Sequence, residues 1–184
     1  MSTGLYSDEY IEMQKQLHKD DKHYGTVAKN YANHVLMMSK QFETKDILDY
    51  GCGKGFLQQN LPFLIQQYDP AIPKHAVIPE PADIVCCLDV LEHIEPACLN
   101  SVLEHIDSLT KRVAFFIVDG NESKKKLPDG RSTHLIIENG TWWFNKISEY
   151  FKINTYMRDF DYKDGELIEK YYFLVNTNKD NKNG

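Results

Sequence analysis

The sequence predicts a doubly wound α/β domain: a mostly parallel sheet with helices on both faces and an antiparallel hairpin at its C-terminal end. Three observations carry this. The runs Ile84-Val85-Cys86-Cys87-Leu88 and Val113-Ala114-Phe115-Phe116-Ile117-Val118 are continuously apolar, as strands covered on both faces are. Segments with helical apolar spacing separate such runs. The last two apolar segments flank Lys163-Asp164-Gly165, a turn signal that makes them a hairpin. With 184 residues the chain fits one domain and can bury roughly two thirds of its surface without a covalent staple.

Residues 1–27 are polar and charged with scattered aromatics, and stand apart as a loose arm or a helical lid. From Ala28, the residues Ala28, Tyr31, Ala32, Val35 and Leu36 repeat at helical spacing. This helix leads to Asp46-Ile47-Leu48-Asp49-Tyr50, a short buried strand that ends in a glycine loop. Leu57 and Leu61 mark a helical turn that Pro62 ends. Phe63 to Asp69 reads as a second strand and Ile84 to Leu88 as a third. Leu99, Val102, Leu103, Ile106 and Leu109 form one stripe of an amphipathic helix, with Pro96 near its first turn. After the strand Val113–Val118 comes a polar loop to about His134, then a helix from Trp142 to Phe151. Strands near Ile153–Arg158 and Tyr171–Val175 make the hairpin. The main domain is thus expected over 28–176, with 177–184 a disordered tail of Asn, Lys and Asp.

Composition narrows the function classes. The chain is 42% hydrophobic and 26% charged, with a net charge of -6. That balance disfavours broad nucleic-acid binding, which runs on phosphate neutralisation. Cys52, Cys86, Cys87 and Cys98 show neither metal-type spacing nor a secretory framework, and read as reduced thiols of a cytoplasmic protein. No apolar run reaches the length of a bilayer span, and the N-terminus lacks the basic and apolar regions of a signal peptide. The expected partner is a small molecule or nucleotide, for a monomer or small homo-oligomer; nucleic acid is possible but not favoured.

The densest chemical signal is Asp49-Tyr50-Gly51-Cys52-Gly53-Lys54-Gly55, between a strand and a helical turn. Glycines there let the backbone turn sharply and approach a ligand with no Cβ in the way. The dinucleotide fingerprint needs a glycine three places after the second one; that place is Phe56, so the fingerprint fails. The pattern resembles motif I of class I S-adenosylmethionine-dependent methyltransferases. Asp69, 18 residues after Gly51, resembles the acid that ends the second strand in that family. Ile84 to His93 is similar to its motif IV region. A looser similarity links the chain to small stand-alone members common in phage genomes, which would place it in host cytoplasm.

The resemblance covers roughly Ala28 to Val118 and implies a Rossmann-like fold that binds S-adenosylmethionine. It implies that Asp49 orients the methionine amino group and that Gly51 and Gly53 approach the methionine portion. Asp69 would grip the ribose, with Tyr50 and Pro70 beside it. Leu88 and Asp89 would lie at the adenosyl–sulfonium junction, and Tyr24 would close over the cofactor. Asp49 and Asp69 also read as plain turn-forming carboxylates. One departure stands out. Only Lys74 to Asp83 separates the second strand from motif IV; the family's intervening strand is therefore expected to be reduced or absent, leaving Glu80 or the Ala82-Asp83 backbone as candidates for the adenine contact.

 The run Pro79-Glu80-Pro81 is the reason, since two prolines in three residues remove two backbone donors that a sheet ladder would need.

The acceptor is less legible. Nucleic-acid amino-methyltransferases carry an Asn/Asp-Pro-Pro-Tyr motif where this chain has Leu88-Asp89-Val90-Leu91, which disfavours that chemistry. In Asp89-Val90-Leu91-Glu92-His93, a helix would place Asp89, Glu92 and His93 on one face, as candidate catalytic residues. The pattern is similar to the acid-x-x-Glu-His of ubiquinone-pathway and small-RNA terminal O-methyltransferases. That similarity implies Mg²⁺ or another divalent ion on Asp89, Glu92, His93 and a later histidine, His134. His93 acting as a base without metal, and a hydrogen-bonded turn with no catalytic part, stay open beside it. So do an RNA- or DNA-end substrate, to which Lys124-Lys125-Lys126 and Trp142-Trp143 would contribute, and a non-catalytic S-adenosylmethionine-binding accessory protein.

Overall fold

The computed structural model describes residues 4–163 and 166–178. Helix α1 spans Asp8–Asp20, α2 Ala32–Gln41, α3 Leu99–Leu109 and α4 Gly140–Ser148. Strands β1 (Ile47–Tyr50), β2 (Gln66–Tyr68), β3 (Ala82–Leu88), β4 (Thr110–Asp119), β5 (Phe151–Lys163) and β6 (Glu166–Thr177) form one sheet in the order β2-β1-β3-β4-β6-β5. The first four strands are mutually parallel; β6 runs antiparallel to both β4 and β5. The doubly wound sheet with an antiparallel C-terminal hairpin is therefore present.

Alternation along the buried strands divides the core into two layers. Leu48, Val85, Cys87 and Phe116 face α3 and α4, where they meet Val102, Leu103, Ile106 and Trp143. Ile47, Ile84, Cys86 and Ile117 face the other side, against Val35 and Met38 of α2. Each fully buried aliphatic or aromatic side chain contributes about 1.5–3 kcal/mol relative to exposure. The α3 stripe is buried at every expected position, Leu99, Val102, Leu103, Ile106 and Leu109.

Several boundaries differ from the sequence expectation. The second strand is only Gln66–Tyr68. Ahead of it, the Gln58 side chain donates to Phe63 O at 2.9 Å and accepts from Ile65 N at 2.8 Å, holding those apolar residues in a loop. The helix expected from Ala28 begins as a 3-10 turn, Thr26–Tyr31, before α2. The strand expected to be reduced or absent is absent: between β2 and β3 the chain makes only a 3-10 turn, Pro73–His75. The hairpin is longer than expected because its tip overhangs β4. Pairing of β6 with β4 stops at Lys170↔Asp119, so residues 159–162 have no third strand beside them and are exposed on both faces, Phe160 and Tyr162 included. Asp164 and Gly165 of the expected turn lie outside the described residues, as do residues 179–184 of the expected tail; Thr177 closes β6.

Residues 8–20 are helical. Ser7 caps α1 by accepting from Tyr10 N at 3.1 Å, and Asp8 and Glu9 occupy the first turn, where the exposed amides favour acids. No helix among the described residues is long and apolar enough to cross a membrane.

Candidate functional site

The carboxyl ends of β1, β3 and β4 open into a cavity of about 430 Å³, covered by α1 and by residues 23–28. This is the edge at which open α/β sheets bind ligands. The glycine loop forms its floor. Gly51 N and Cys52 N both donate to Tyr68 O, at 2.7 and 3.1 Å, which ties the loop to β2. Gly51 has φ 78°, and a Cβ there would lie 2.6 Å from a Val90 methyl, so both backbone and space require glycine.

Two carboxylates organise this loop. Asp69 Oδ2 accepts from Gly53 N and Oδ1 from Ala71 N, both at 2.9 Å; burial raises its pKa against those bonds. Asp49 is 2% exposed and lies behind the loop, and its Oδ2 has no hydrogen-bond partner among the described residues. Burial, with the Asp69 charge adding to it, pushes the Asp49 carboxyl up to about 7. A buried acceptor without a donor is costly, and a ligand ammonium near the loop would relieve it.

The cover is fastened at both ends. Ser7 donates through its backbone N–H and hydroxyl to Glu95, at 2.7 and 2.8 Å. Tyr10 donates its phenol to His93 O and accepts from Gln14 Nε2. At the other end, Lys54 donates to Asp21 O and Lys125 pairs with the Asp21 carboxylate. His18 lies against the glycine loop, with Cε1 3.2 Å from where a Gly53 Cβ would sit. Burial, with the Lys54 charge, lowers its pKa to about 4.

Across the cavity, Glu92, His93 and His134 converge, with one potential ligand atom from each within 4.8 Å of the others. Glu92 and His93 sit on a 3-10 turn, Leu91–His93. Glu92 O accepts from Leu135 N and Ile136 N, at 2.8 and 3.0 Å, which stitches the 133–136 segment beside the turn and brings His134 in. Glu92 is fully buried; Oε1 accepts from Asp119 N at 3.1 Å, while Oε2 has no partner among the described residues. Burial, then the Asp89 charge, raises its pKa well above the ordinary carboxylate range. His93 Nδ1 lies 2.7 Å from Thr133 O and His134 Nδ1 2.5 Å from Asn121 O. A carbonyl accepts only from N–H, so Nδ1 carries the proton in both rings and Nε2 keeps its lone pair.

No family model and no curated protein sequence matches this chain. Solved structures do match. The N-methyltransferase NodS from Bradyrhizobium japonicum WM9, in complex with S-adenosyl-L-homocysteine, is similar over 81% of this chain and 86% of its own, with a TM-score of 0.55 and 11% identity. Magnesium protoporphyrin IX methyltransferase (ChlM) from Synechocystis PCC 6803, also with bound S-adenosyl-L-homocysteine, is similar over 81% and 83%, with a TM-score of 0.53 and 16% identity. Protein 1320 of Thermoplasma acidophilum is similar over 91% and 96%, with a TM-score of 0.56 and 11% identity. The chain shares its Rossmann-like fold with these two methyltransferase structures.

Of the expected cofactor residues, Tyr50, Gly51, Gly53, Asp69, Pro70, Leu88, Asp89 and Tyr24 border the cavity, and Asp49 does not. The Tyr50 hydroxyl turns away, to His105 Nδ1 at 2.9 Å. The adenine candidates Glu80, Ala82 and Asp83 are not in the cavity wall, whereas Ala71, after Asp69, is. The expected four-residue metal group is brought together only in part: Glu92, His93 and His134 converge, and Asp89 goes elsewhere. Residue 89 has φ 53° and precedes the 3-10 turn, so the single helical face expected over 89–93 does not form. Its carboxylate instead accepts from Lys170 Nζ at 2.7 Å and from Tyr31 Oη at 3.1 Å.

Lys170 is a charged cavity residue that sequence reading missed. It comes from the antiparallel strand, 81 residues from Asp89, and no local spacing announces it. Trp143 is fully buried in the core, while Trp142 borders a separate surface groove with Pro96 and Lys146. Lys124 and Lys125 border the main cavity, and Lys126 pairs with Glu122 outside it.

Proposed function

We propose that this protein is an S-adenosylmethionine-dependent methyltransferase whose acceptor is a small molecule or nucleotide. The observation that carries the reading is the buried, unpartnered Asp49 Oδ2 behind a glycine loop that floors a covered cavity. The donor set fits the cofactor: Asp49 behind the loop for an ammonium, open backbone at Gly51 and Gly53, and Asp69 with lone pairs left for hydroxyls. When bound, S-adenosylmethionine supplies a methyl group on a positively charged sulfur. The protein's share is then to align the acceptor and exclude water, and the fastened α1 helix supports that role. Enclosure beneath α1 favours a compact acceptor over a polymer end, and the acidic net charge points the same way.

Glu92, His93 and His134 suit a divalent metal. Glu92 Oε2 has no partner among the described residues, and each imidazole is held at Nδ1 by a backbone carbonyl, the hydrogen bond that orients a metal-binding histidine. Two imidazoles and one carboxylate match Zn²⁺, Fe²⁺ or Mn²⁺ better than Mg²⁺, which prefers all-oxygen sites. Such an ion would lower the pKa of an acceptor hydroxyl, which favours O-methylation. His93 alone is a poor base at neutral pH, because burial, with His134 beside it, holds its pKa down at about 3.

Calorimetry with S-adenosylmethionine and S-adenosylhomocysteine tests the reading. Micromolar binding of both is expected; binding of neither would overturn it. Methyl transfer from labelled donor to nucleosides and metabolites, against RNA ends, then separates the two acceptor classes.

A further inference from the structure

The cavity floor gathers carboxylates, and one lysine is set among them. Lys170 Nζ lies 2.7 Å from Asp89 Oδ1, 3.6 Å from Asp119 Oδ2 and 3.1 Å from Tyr31 Oη. The three charged side chains are 23%, 15% and 20% exposed for Lys170, Asp89 and Asp119, and all three border the cavity. Tyr31 also donates to Asp89 Oδ2, so both Asp89 oxygens are held. Burial works against the Lys170 ammonium, but the Asp89 charge and hydrogen bond, with Tyr31, outweigh it and keep it protonated above the ordinary lysine range. Lysine reaches this place because β6 pairs with β4 in a register that sets Lys170 opposite Asp119.

We propose that Lys170 is a positioning residue of the methyl-transfer site, offsetting one of the two negative charges of Asp89 and Asp119 and fixing Asp89 at the cavity wall. This rests on the methyltransferase reading. The physical reason is differential binding. Methyl transfer removes the positive charge of the sulfonium, so uncompensated carboxylates nearby stabilise the ground state more than the transition state. Lys170 weakens that trap while leaving Asp89 oriented.

The test compares affinities for S-adenosylmethionine, which carries the sulfonium charge, and S-adenosylhomocysteine, which does not. Calorimetry is done on chelator-treated protein, so that no metal contributes to the field. In Lys170→Met, the preference for the charged ligand should rise at least about tenfold over wild type, the scale of one unit charge acting across about 12 Å at an effective dielectric of about 20. Lys170→Arg should restore the wild-type ratio. Asp89→Asn, which leaves the lysine less opposed, should shift the ratio the other way and serves if Lys170→Met does not fold. A purely structural role would weaken both ligands equally, and an unchanged ratio in either folded variant overturns the proposal. Failure of wild type to bind either ligand overturns the methyltransferase reading itself, a distinct result.

Discussion

At the scale of single residues, Asp49 and Glu92 are buried carboxylates with one oxygen each lacking a partner, and each makes a prediction. Asp49 must be ionised to hold an ammonium, yet burial sets its pKa near 7 in the unliganded protein. Affinity for S-adenosylmethionine should therefore rise with pH up to about 7, by at most about tenfold per unit, and level off above. Asp49→Asn should weaken binding by roughly ten- to a hundredfold and flatten the pH profile; titration calorimetry between pH 6 and 8 reads both. For Glu92, equilibrium dialysis against Zn²⁺ or Mn²⁺ should give about one ion per wild-type chain and none in Glu92→Ala or His134→Ala. The same metal at a hundred times its Kd should stabilise wild type by about 2.7 kcal/mol in denaturant unfolding, and neither variant. Asp49 and Glu92 were visible as motif residues. Their missing partners were not, because burial and hydrogen bonding are properties of the packed chain.

At the scale of elements, the glycine loop and α1 act together on one cavity. Gly51→Ala would demand a left-handed backbone and place a methyl against Val90. A cost of about 1–3 kcal/mol and loss of cofactor binding are expected. Val90→Ala should recover the steric part of that cost and leave the backbone part. For α1, Glu95→Ala removes both bonds from Ser7. Proteolytic cleavage within residues 8–20 should speed up in that variant and slow on adding S-adenosylhomocysteine; equal rates in wild type and variant would count against α1 as a fastened cover. The helix was one of two readings of the N-terminal sequence. Its docking was out of reach, since Tyr10 meets the His93 carbonyl only after the chain has folded back.

At the scale of the whole molecule, the sheet is short of one strand on the β2 side, and its stability rests on the two apolar layers around β1, β3 and β4. Trp143, fully buried between α4 and the sheet, is the largest single test of that packing. Trp143→Ala should cost about 3–5 kcal/mol in urea unfolding without touching the cavity residues. A loss below about 1 kcal/mol would mean that this layer is loosely packed.

The sequence by itself determined the parallel core, the α3 stripe, the glycine loop with Asp49 and Asp69, and the missing strand. Each is a local pattern: apolar periodicity, a turn that needs glycine, or a stretch with two prolines. Only the tertiary structure decided how the polar groups are shared among partners. It took Asp89 from the expected metal group and gave it to Lys170, left Glu92, His93 and His134 together, and closed α1 over them all. The reason is that a charged side chain goes to whichever partner the fold brings within reach. For Asp89 that partner stands on an antiparallel strand near the far end of the chain.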